Sequence, residues 1–154
     1  MVRVPRRQGR ESERRARSRF GRLVAAAVEA LRAEIAGARD AGTLSPRMAA
    51  GFMEAIESVP IIVADVPDRR QREENERADE LLGLYEGVPR TEWEAGNALV
   101  PARITIFRLA IEDFSPSPER QRDEIRKTVK HEVAHHLGWS DEQLDRAGLG
   151  DAED

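Results

Sequence analysis

The chain has 154 residues, enough for one domain with one core. Charged residues make up 35% and aromatics only 5%, so the core is aliphatic and small. Cysteine is absent, which excludes disulfide staples and thiolate metal ligands and fits a reducing cytoplasm, and the net charge is −4.

That charge is unevenly spread. Residues 1–22 hold nine arginines against Glu11 and Glu13, while the remainder carries a net −11. Residues 1–19 therefore read as a disordered, arginine-rich arm on an acidic body, with weak contact to a polyanion such as nucleic acid as its partner chemistry. No apolar segment follows this arm as a secretory signal requires. No run approaches the roughly 20 apolar residues that span a bilayer. Leu23–Ala38 comes nearest, but it contains Glu29, Arg32 and Glu34.

From Phe20 to about Arg39 apolar residues recur at helical spacing: Phe20, Leu23, Val24, Ala27, Val28, Leu31 and Ile35. Gly42 ends that helix, and Ser45 with Pro46 starts a second through Met48, Phe52 and Ile56. Val59–Val66 is β-branched and predicts a strand closed by Pro67. Asp68–Glu80 is almost wholly charged and reads as a solvated loop or exposed helix without chemistry. Leu81–Pro89 begins as a strand or extended segment and turns at Gly87–Pro89, and Thr91–Ala102 is loop. Ala102–Glu112 alternates Ile104, Phe107, Leu109 and Ile111 imperfectly with polar residues and predicts a strand. Ser115–Pro118 caps a helix that runs over Glu119–Leu137, and a short helix starts at Ser140. The predicted class is α+β: a small mixed sheet with packed helices, in a single domain over residues 20–150.

The helix Glu119–Leu137 places His131 and His135 four residues apart. At 3.6 residues per turn the two imidazoles share one face and can reach one metal. Neutral imidazole suits zinc, and a catalytic zinc takes three protein ligands and one open position. Gly138 can adopt the left-handed conformation that ends a helix, so Asp141 can swing in as the third ligand. Glu142 is the neighbouring alternative, less favoured by its offset from Gly138. Glu132 stands beside the metal and can act as general base on a water. By chance, His-Glu-x-x-His arises in roughly one protein per few hundred of this size, and the Gly and Asp lower that further.

The other residues of the stretch read as structure. His136 lies about 100° round the helix from His135, and is a partly buried polar group bonded to backbone. Ile125, Val129, Val133 and Leu137 mark the core-facing stripe, and Trp139 packs to fix the turn.

HEVAHHLGWSDEQLD resembles the signature of small bacterial zincin-like metallopeptidases of minimal zincin fold, His-Glu-x-x-His-x-x-Gly-x-x-Asp. LLGLYEGVP resembles a second block of that family, and the likeness covers roughly residues 20–148. It implies a Zn2+ site formed by His131, His135 and Asp141, with Glu132 as catalytic base, acting on a peptide or protein. Larger zincins carry a further subdomain beyond the third ligand, whereas here Glu142–Asp154 follow it. Tyr85 lies in the second block, where strand packing explains it better than oxyanion stabilisation. Two rival functions stand beside the peptidase: a metal-stabilised binding module whose basic arm contacts a polyanion, and another zinc hydrolase such as a nuclease. Retention of Glu132 argues against a purely structural metal, which needs no base.

Overall fold

The computed structural model describes residues 6–87 and 101–151. The order of elements is α1 (Arg6–Asp40), α2 (Pro46–Ser58), β1 (Ile61–Ala64), α3 (Arg69–Glu74), a single 3-10 turn (Ala78–Glu80), β2 (Gly83–Glu86), β3 (Arg103–Phe107), α4 (Arg108–Phe114), α5 (Pro118–Leu137) and α6 (Asp141–Arg146). The fold is α+β: helices packed on a mixed sheet of order β1-β3-β2. β3 is its centre, parallel to β1 and antiparallel to β2.

α5 is the element on which the others meet. Its stripe Ile125, Val129 and Val133 is fully buried against α1, α2 and the sheet. α1 contributes Phe20, Ala27, Leu31 and Ile35 at helical spacing, and α2 contributes Phe52, Ala55 and Ile56. Strand periodicity puts Ile104 and Ile106 of β3 in register with Tyr85 and Gly83 of β2, so all four lie on one face. That face meets α5 so closely that a β-carbon at Gly83 would sit 2.6 Å from Cγ2 of Thr128.

Two expectations change. The arm expected to be disordered over residues 1–19 is helical from Arg6, and α1 runs unbroken through the expected boundary. Arg, Glu, Gln and Ala are good helix formers, and between Arg6 and Phe20 Gly9 alone is a poor one. Residues 9–15 are nonetheless exposed, and the described tie to the body is Arg17, 2.7 Å from Asp65. The strand expected over Ala102–Glu112 stops at Phe107, where α4 begins. Phe107 and Ile111, four residues apart, are both buried, and Arg108 bonds Glu112 at 3.1 Å. That spacing is helical, which explains the imperfect alternation. Asp68–Glu80 is largely exposed, as expected, and holds the helix α3; Gln71 and Ala78 are its buried residues. Asp68 and Gln71 form a capping box, and buried Gln71 donates to Glu86 of β2 at 2.7 Å. The loop expected over Thr91–Ala102 and the turn at Val88–Pro89 lie almost wholly outside the described residues.

Candidate metal centre

The site is built at the C-terminal end of α5. Ser117 caps that helix by accepting from the Arg120 N–H, and Pro118 occupies its first position. Gly138 ends it at φ 75° and ψ 23°, a left-handed conformation that costs glycine little. The Trp139 N–H then donates to the Ala134 carbonyl at 2.8 Å. The Trp139 ring packs 5.5 Å from Phe52, which pins the turn to the core. Ser140 caps α6 in a capping box with Gln143. Asp141 is therefore the first residue of α6, where a helix favours negative charge.

This chain of caps returns Asp141 to the histidines. Oδ1 of Asp141 lies 3.5 Å from Nδ1 of His131. The His131 and His135 rings stand 4.5 Å apart at 66°. Both imidazoles are about half exposed, and Asp141 is largely exposed. Glu142 faces away and pairs with Arg146 at 3.4 Å. Glu132 is more enclosed: Oε2 accepts the Tyr85 backbone N–H at 3.0 Å and lies 3.3 Å from Nδ1 of His135. That contact with Glu132 raises the His135 pKa, against the opposing effect of partial burial. The four side chains open onto a groove of about 820 Å³, lined also by Gly83, Thr128 and Leu149.

Two neighbours complete the setting. His136 is buried, and Nδ1 shares a 3.0 Å hydrogen bond with the Tyr85 hydroxyl. Lys130 is 1% exposed, with Nζ 2.8 Å from Glu34 and 2.7 Å from Asp151. Sequence reasoning missed Lys130, because Glu34 is 96 residues away. It set Tyr85 aside because side-chain spacing says nothing of a backbone N–H.

The model of the zincin-like metallopeptidase family matches residues 56–150, well over half of the chain. The chain belongs to the zincin-like metallopeptidase family. The matched segment of this zincin runs from the end of α2 through α6 and holds His131, Glu132, His135, Asp141 and Tyr85. None of the curated proteins compared with it matches.

Zincins are in general zinc-dependent, so the donor set can be tested against that metal. Two imidazoles and a carboxylate suit zinc in type and number. The rings are 4.5 Å apart, and the carboxylate lies 3.5 Å from one of them. In the structure these donors engage one another, and among the described residues no three such side chains enclose a point that could hold an ion. No helix among the described residues is long and apolar enough to cross a membrane.

Proposed function

We propose that this zincin is a zinc-dependent peptidase in which His131, His135 and Asp141 hold the metal and Glu132 is the general base. The observation that carries the reading is the meeting of two α5 imidazoles with the first residue of α6, beside an enclosed carboxylate in an open groove. Zinc bound there supplies a Lewis acid that lowers the pKa of a water and polarises a carbonyl.

The chain's own residues do the rest. Glu132 takes a proton from the water whose oxygen attacks the peptide carbonyl carbon. As the C–N bond breaks, Glu132 delivers that proton to the departing amine nitrogen. Its enclosure favours this role, because a carboxylate shielded from bulk water exchanges its proton with the reactants. A peptide or protein is the substrate class the groove supports. The exposed arginines of α1 support a separate, weak electrostatic contact with a polyanion.

Digestion of a diverse peptide library, with and without chelator, tests the reading. The expected result is cleavage by the intact protein that chelator abolishes. Glu132→Gln should keep about one zinc per chain and lose hydrolysis, because an amide accepts no proton from the water. His131→Ala with His135→Ala should lose the zinc, since one remaining ligand cannot hold it. Full activity of Glu132→Gln would exclude it as the base.

A further inference from the structure

The four-residue spacing that pairs His131 with His135 also pairs Glu132 with His136, on a neighbouring face of α5. One residue of β2 holds both. The Tyr85 N–H donates to Oε2 of Glu132 at 3.0 Å, and the Tyr85 hydroxyl shares a 3.0 Å hydrogen bond with Nδ1 of His136. The two rings meet edge to face at 5.6 Å. His136 is 3% exposed, so its end of the contact is fixed in the core.

The strand's pairing explains why this N–H is available. Among the described residues β2 is an outer strand of the sheet. The Phe107 N–H donates to the Leu82 carbonyl, so Leu82 and Leu84 turn their backbone groups toward β3. Tyr85 therefore turns its N–H outward, away from the sheet, where Glu132 meets it. Edge strands are weakly restrained, and this one is four residues long. A second restraint is needed to hold the amide at a fixed place, and the hydroxyl bonded to His136 supplies it one helical turn further along α5.

We infer that Tyr85, latched by His136, is the positioning residue of Glu132. One carboxylate oxygen is held by the strand amide and the other is left for the reacting water. This rests on the reading of Glu132 as the base. Tyr85 itself need not touch the substrate.

The test uses the full chain and two readouts. The first is amide hydrogen exchange at residue 85, followed by NMR with and without zinc. Tyr85→Phe keeps the ring and the amide but removes the hydroxyl. It should raise exchange at residue 85 by about tenfold or more while Val129 exchanges as before. The second is steady-state cleavage of the best library peptide. Tyr85→Phe should lower kcat by about 10- to 100-fold with KM little changed. His136→Ala should behave likewise, and His136→Asn, which can offer a polar atom near the place of Nδ1, should recover part of the loss. Unchanged exchange at residue 85, or an unchanged kcat in a protein whose cleavage needs Glu132, overturns the latch. So does loss of zinc in Tyr85→Phe, which makes the hydroxyl structural. Cleavage that survives Glu132→Gln instead removes the base reading, while the exchange measurement still reports whether the hydroxyl holds the strand amide.

Discussion

The ammonium of Lys130 lies 2.7 Å from the carboxylate of Asp151, one residue before His131 and almost wholly out of water. Glu34 of α1 accepts from the same nitrogen at 2.8 Å, and Arg126 approaches Glu34 as well. The ion cluster joins α1, α5 and the segment after α6. A buried pair is weak evidence for net stability, but breaking one is costly because a charge is left without its partner. Lys130→Ala should destabilise by about 3 kcal/mol, roughly 6–12 °C in Tm. Lys130→Met should lose less, since the new side chain fills the volume of the stem. Thermal melts of the two variants check this, and equal stability of Lys130→Ala and the parent would show the cluster to be neutral.

Gly83 marks the closest approach of β2 to α5. A β-carbon there would meet Thr128 Cγ2 at 2.6 Å and Ile106 Cδ1 at 3.1 Å. Gly83→Ala should cost about 1–3 kcal/mol by overpacking. Because β2 must move outward, the Tyr85 amide should also withdraw from Glu132. Adding Thr128→Ser removes the nearest methyl and should return part of the stability. Urea titrations of the single and double variants give the coupling directly.

Asp65 gives a pH signature. Arg108 first, and then Arg17, holds its carboxyl below the usual carboxylate range by hydrogen bonding to the charged form. A pKa lowered by folding contributes stability above the unfolded value and loses it as pH falls through the folded one. Asp65→Asn should therefore be less stable than the parent by about 1–2 kcal/mol at neutral pH. The gap should hold down to about pH 5 and close as pH drops below about 4, the range where free Asp titrates. A gap that stayed constant into strong acid would assign the loss to something other than charge.

The exposed start of α1 should be dispensable for the metal site. Residues 9–15 are exposed, and the buried face begins at Phe20. Deleting residues 1–14 should leave zinc content and peptide hydrolysis nearly unchanged. Binding of single-stranded or duplex nucleic acid by the full chain should be weak and should fall steeply with added salt, because each neutralised phosphate releases counterions. Filter binding across a salt series, with full and shortened chains, decides it. Salt-insensitive binding by the shortened chain would favour a nuclease over a peptidase.

The parts of this molecule that follow a short period are legible in the sequence. Four-residue spacing gives α5 and the imidazole pair, and Gly138 gives the turn after which Asp141 comes back to them. The stripe Ile125, Val129 and Val133 is buried as its spacing predicts. What stays hidden is whatever depends on distant partners. Arg108 continues a strand pattern by composition, yet Asp65 and Glu112 draw it into a helix. Tyr85 reads as packing because the group that reaches Glu132 is its amide, which every residue but proline carries. Gln71, in the exposed Asp68–Glu80 segment, gives no sign of the hydrogen bond it makes to Glu86 of β2.

The site is also assembled from contacts of very unequal reach. His131 and His135 are neighbours on a single helix, so they come together as soon as α5 coils, an event of about a microsecond. Tyr85 must close 47 residues of chain to reach Glu132, and Glu34 must close 96 to reach Lys130. Contacts of that span form late, because loop entropy is lost before they repay it. During refolding an imidazole pair thus precedes an oriented carboxylate. Metal added at the start meets a nascent helix that can capture it before α6 and β2 have docked. Capture at that stage can hasten folding if Asp141 is already near, or slow it if a stray carboxylate takes the third place. The order in which metal and denaturant are changed should accordingly leave its mark on the refolding rate of this zincin, even where the final zinc content is the same.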